Sequence, residues 1–235
     1  MLWLRTVAPL AAALLLAGPA RAQDGMVNAY LMDGGAFTNA LMANSLAARS
    51  RAAVARAPSA STSTSPANKP GSLRFTPSQP GAAADELART YPAQRRAEAA
   101  KTFRLLLARF HEVERLFGQP ANDLPTALAF FIATSYEAST GTVLPPDRGR
   151  PLIAQLRRTM AADPAFAVAP TAEKQRLYEQ LAIVGAMTSA LTLGLQDRPD
   201  PALAARLKTA GDGYLSALDL DASRMRFTDQ GLQLR

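Results

Sequence analysis

An all-α domain, an irregular or orthogonal bundle of about five helices with a small C-terminal β-hairpin behind a disordered tail, is the fold this sequence predicts. Three observations carry that expectation. From Ala82 onward apolar side chains recur at spacings of three and four, the period of one helix face. Helix start and stop residues sit between those stretches, and the last ten residues alternate about a glycine. Residues 58–70 read PSASTSTSPANKP, a composition that buries too little apolar surface to offset the entropy of ordering it.

The chain opens with Arg5, the apolar run Val7–Ala17 and an A-x-A site at Ala20–Ala22, the pattern of an export signal cleaved between Ala22 and Gln23. The run falls well short of the roughly 20 residues a spanning helix needs. Cleavage is therefore expected rather than anchoring, which gives a bacterial periplasmic or secreted product and no integral membrane protein. The 235 residues contain no cysteine, so an exported fold here must be held by burial alone. Residues 23–57 form a weakly helical segment, 58–71 a flexible linker, and 72–235 the helical domain.

Within that domain Leu73–Pro77 alternates briefly and suits one short edge strand or an extended arm laid on the domain. Arg-Phe-Thr recurs at 226–228, so this strand could pair with the terminal hairpin. The first long helix runs from about Ala93 to Phe117, with Phe103, Leu106, Phe110, Val113 and Phe117 on its core face. Gly118 and Pro120 stop it. Asn122 or Asp123 caps a second helix, with Pro125 in its first turn, which is apolar on every side through about Ser139. A third spans about Arg150–Ala162. A fourth runs from Thr171, capped by its own hydroxyl, to about Leu195. Its uncharged half carries Ala182, Ala186, Ala190 and Gly194 four apart, a ridge that lets a neighbouring backbone come close. A fifth covers Pro201–Leu218, weakened by Gly211 and Gly213.

Charge narrows the function classes. The whole chain carries 26 Lys and Arg against 19 Asp and Glu, but from Asp85 to Arg235 the balance is 19 against 17. The basic excess lies in the tail, and a nucleic-acid-binding domain is disfavoured. His111 is the only histidine, and Arg115 stands where H-E-x-x-H zinc binding needs a second. There is no nucleophile elbow, phosphate-binding glycine loop, EF-hand loop or cysteine nucleophile. No metal, cofactor or catalytic residue is assigned, and His111 is expected at the surface or boundary of its helix.

One arrangement stands out: Tyr136-Glu137 and Tyr178-Glu179, each on a mostly apolar helix, with Arg176 close to the second. Together these five form a candidate ligand-binding or buried polar cluster. If the carboxylates converged across a cleft, they could act as general acid and base of a cell-wall hydrolase. The structural alternative pairs them with Arg104, Arg109 or Arg176 to lock helix register.

Leu73–Pro77, Asn122-Asp123-Leu124-Pro125, Thr134–Glu137 and Arg176–Leu181 together resemble a family of uncharacterised exported bacterial helical proteins, over roughly residues 72–235. The resemblance implies an envelope location and a helical domain, without an activity. The leading expectation is a non-catalytic periplasmic or secreted interaction module whose partner is an envelope protein or glycan. A role in stress or immunity fits the same features, and the sequence leaves the oligomeric state open.

Overall fold

A computed structural model describes residues 73–235, together with Arg51. The proposed signal, its Ala22–Gln23 cleavage point, the weakly helical segment and the linker lie outside these residues. The described part contains seven α-helices: α1 (Ala82–Ala88), α2 (Arg96–Leu116), α3 (Leu124–Thr140), α4 (Pro146–Ala161), α5 (Pro164–Val168), α6 (Thr171–Asp197) and α7 (Pro201–Ser216). They are followed by β1 (Met225–Thr228) and β2 (Gly231–Leu234), an antiparallel pair in the register Met225–Leu234 to Thr228–Gly231. The all-α bundle with a small C-terminal hairpin is the observed fold. Among the described residues no helix is long and apolar enough to cross a membrane.

Helix α3 is the central post, with α4, α6 and α7 packed around it. Its sequence explains that place, since Leu124, Leu128, Phe130, Phe131 and Ile132 cover several sides and all are buried. An apolar helix without a polar face gains most by being enclosed. Phe110 of α2 meets Phe130 at 5.1 Å, and Phe131 meets Tyr214 of α7 at 5.6 Å, so one helix ties two flanks of the core. Helix α6 lies along α3, and a Cβ on Gly185 would come within 2.8 Å of Phe130 and 3.4 Å of the Phe131 backbone. A close approach of α6 to α3 thus falls at Gly185, next to Ala186 of the expected small-residue ridge.

Local signals set the ends. Gly118 adopts φ 64°, the left-handed stop expected of it. The Asp123 carboxylate accepts the Thr126 N–H at 3.1 Å and caps α3. Four expectations need correction. Helix α4 begins at Pro146 rather than Arg150, because Pro146 suits the first helical position and Pro151, early in the helix, removes a single main-chain bond. Thr171 is the first residue of α6 and not its cap; Pro170 precedes it and no side chain caps that end. Asp163 and Pro164 end α4 but also start the short α5, whose Ala165 N–H the Asp163 carboxylate accepts. The Leu73–Pro77 segment does not join the hairpin: Arg74 bridges to Asp123, and the Leu124 N–H donates to the Leu73 carbonyl at 3.2 Å.

The hairpin is fastened to α4 by one side chain. Gln155 Nε2 donates to the Leu232 carbonyl at 2.9 Å, and the Leu232 N–H donates to Gln155 Oε1 at 2.7 Å. A buried amide thereby does for β2 what a neighbouring strand would do.

Candidate functional site

The Tyr136-Glu137 pair lies at the end of α3, where the chain turns into the loop 141–145. Glu137 is buried, and its Oε1 accepts the Leu144 N–H at 2.9 Å. Burial pushes its carboxyl up to about 7, partly opposed by that hydrogen bond. Tyr136 is half-buried and meets Phe227 of β1 edge-on at 5.0 Å and 71°. Beside this ring pair opens a cleft of about 340 Å³, walled by the loop, the first turn of α4 and the hairpin. Arg148, Arg226 and Arg235 line it, and no acidic side chain does.

These cations are held differently. Arg148 Nε lies 3.4 Å from the exposed carboxylate of its neighbour Asp147. Arg235 is fixed by reciprocal bonds with Arg224: its N–H donates to the Arg224 carbonyl at 3.0 Å, and Arg224 Nε donates to its main-chain oxygen at 2.7 Å. Among the described residues the Arg226 guanidinium has no hydrogen-bond or ion-pair partner. The α4 N-terminus, preceded by Pro145 and without a side-chain cap, opens on the same space and adds its partial positive charge.

Tyr178-Glu179 sits elsewhere and does other work. Glu179 Oε1 accepts the Gly81 N–H at 2.9 Å and Oε2 the Ala83 N–H at 3.0 Å, so α6 supplies the cap that α1 lacks. Gln175 Nε2 donates to Glu179 Oε1 at 2.8 Å, and Gln175 Oε1 accepts the Ser78 N–H at 2.9 Å. Arg176 pairs with Glu86, Arg104 with Asp85 at 2.5 Å and Arg109 with Glu112 at 3.0 Å. Those arginines thus bind other carboxylates, and the two glutamates are satisfied mainly by backbone N–H groups. This corrects the expected Glu–Arg pairing.

The two Tyr-Glu pairs are not brought together. The Tyr178 phenol reaches the start of α3, where the Asn122 main chain hydrogen-bonds it. Glu137 lies four turns further along that helix, about 20 Å away at 1.5 Å per residue. Paired glycosidase carboxylates stand roughly 5 to 10 Å apart.

A second polar cluster, absent from the sequence reading, joins α2, α3, α4 and α6. Buried Glu114 takes His111 Nδ1 at 3.1 Å and the Asp123 N–H at 3.3 Å, and the Tyr178 hydroxyl lies 3.2 Å from the same Nδ1. Burial, then the Glu114 charge, pushes the Tyr178 phenol far above its ordinary range, so it stays protonated. The fully buried Asp123 receives both arms of Arg157, at 2.7 and 2.9 Å, and the Thr126 hydroxyl at 2.5 Å. Asn122 stands between them at φ 57°, a conformation asparagine tolerates better than most residues. His111 keeps one face in solvent, at the helix boundary. The groups of this cluster are occupied with one another. Among the described residues no three His, Asp or Glu side chains are placed to hold a metal ion.

A family model described as a family of unknown function, DUF6683, matches residues 5–235. That match is wider than the expected 72–235, since it also takes in the stretches before the helical domain. No curated protein and no solved structure matches the chain. By a match over nearly its whole length, the chain belongs to the DUF6683 family.

Proposed function

We propose that this chain is an exported, non-catalytic binding module that takes its partner, an envelope protein or glycan, at the cleft beside Tyr136 and Phe227. One observation carries the reading. The buried carboxylates Glu114, Asp123, Glu137 and Glu179 are each engaged by backbone, histidine or arginine, while Arg226 at the cleft has no partner of its own. Groups spent on holding helices together are poor catalysts, and an unpaired cation beside aromatic rings is a recognition feature.

Export is supported by the signal pattern of residues 1–22. The separation of Glu137 from Glu179 favours binding over paired-carboxylate hydrolysis. Pull-down from a bacterial envelope fraction tests the reading, with the full chain and its Arg226→Gln variant as bait. A partner retained by the first and released by the second supports it. Turnover of peptidoglycan that is abolished by Glu137→Gln or Glu179→Gln would contradict it.

A further inference from the structure

We infer that the cleft between loop 141–145 and the hairpin recognises a dianionic phosphate monoester joined to a ring or other apolar group. The inference rests on the binding-module reading and names the chemistry of its ligand. Three arginines line one cleft, and among the described residues the only side-chain carboxylate paired with any of them is Asp147, 68 % exposed, on Arg148. With Asp147 set against Arg148, a single carboxylate ligand would still leave one of the three arginine charges unmatched. A phosphate monoester carries nearly two charges near neutral pH and offers three oxygens to the guanidinium forks.

Position supports the same ligand. Pro145 and Arg148 bring the uncapped first turn of α4 to the cleft, and the partial charge of a helix N-terminus favours an anion. The same cleft is lined by apolar groups: Val143 and Leu144 from the loop, and the Tyr136–Phe227 ring pair. A ring on the ester fits against those side chains while the phosphate meets Arg226. The cleft volume, about 340 Å³, is at the small end of ligand sites, which suits a compact phosphate ester as the group that enters it.

Arg226 is exposed and makes no ion pair, so its replacement leaves the fold intact. The full chain is titrated calorimetrically with phenyl phosphate, inorganic phosphate, benzoate and benzyl alcohol. Phenyl phosphate is expected to bind most tightly and to weaken with salt. Arg226→Gln is expected to weaken it about tenfold, the scale of one lost charge-assisted contact, while Arg109→Gln on α2 leaves it unchanged. A second arm uses phosphatidylcholine vesicles with and without phosphatidic acid. Cosedimentation only with phosphatidic acid places the monoester in a lipid headgroup, and phenyl phosphate binding without cosedimentation places it in a free ester.

Benzoate or benzyl alcohol binding as tightly as phenyl phosphate, binding indifferent to Arg226→Gln, or no binding in either arm overturns the inference. If phenyl phosphate fails while the envelope partner is still released by Arg226→Gln, the ligand class is wrong and the binding module stands. If the partner is retained by Arg226→Gln, the cleft itself is wrong.

Discussion

Glu137 Oε1 accepts the Leu144 N–H at 2.9 Å, so a buried carboxyl at the end of α3 fixes the loop that walls the cleft. Its folded carboxyl titrates near 7, above the ordinary 4.5. A raised carboxyl means the native state holds the proton more tightly than the unfolded chain. Its stabilising contribution is therefore full below about 4.5 and is lost as pH rises through about 7. The loss is on the order of 3 kcal/mol at 1.36 kcal/mol per pH unit. Glu137→Gln keeps the acceptor and cannot ionise, so it should match the wild type at pH 4 and exceed its stability at pH 8. Urea unfolding at the two pH values measures the difference.

Glu179→Gln should act in the opposite sense at every pH between 5 and 8. An amide offers one acceptor where Gly81 and Ala83 need two, and its NH₂ group then faces an N–H. A destabilisation of about 1–3 kcal/mol is expected for a buried donor left unmet. Hydrogen exchange should show the loosening at α1, with no change in cleft binding. A loss of binding with α1 still protected would contradict the structural role of Glu179.

Two glycines on α7 separate packing from propensity. A Cβ on Gly211 would stand 2.7 Å from the Ser135 carbonyl and 2.8 Å from the Ser139 nitrogen, both backbone atoms of α3 that cannot yield cheaply. Gly213 meets nothing within 4 Å. Gly211→Ala should thus destabilise by about 1–3 kcal/mol through overpacking, and Gly213→Ala should stabilise by up to about 1 kcal/mol through helix propensity. Thermal unfolding of the two variants gives both signs.

Arg157→Ala should be among the most damaging single changes. It strips the paired guanidinium from Asp123, which is fully buried and also caps α3. Breaking a buried pair from one side typically costs about 3–5 kcal/mol. Chemical denaturation should report it, together with added exchange at the start of α3.

The sequence made the helices legible wherever an end was written locally. Gly118 with Pro120 and Asp123 with Pro125 mark their boundaries within a few residues, and the all-round apolar α3 announces a central position. The start of α4 was less legible, because its apolar spacing begins only at Leu152 whereas Pro146 opens the helix. Gly211 read as a weak spot in a helix, whereas its missing side chain is what lets α7 reach α3.

The site was half visible. Tyr136 and Glu137 were marked by their place on an apolar helix, but the cleft that Tyr136 borders also takes in Arg148 and the distant Arg226, which look like ordinary surface charges. The Tyr178–His111 contact and the Asp123–Arg157 pair were hidden because their partners are chosen by helix packing, whereas His111 and Glu114 stand at the local i,i+3 spacing.

The central claim is that the partner sits on the arginine-lined cleft. The most direct measurement is the ¹⁵N chemical-shift footprint of the partner retained from the envelope fraction on the full chain. The account predicts the largest shifts at Leu144, Arg148, Arg226 and Phe227. A footprint centred on His111 and Gln119, with those four unmoved, would contradict it.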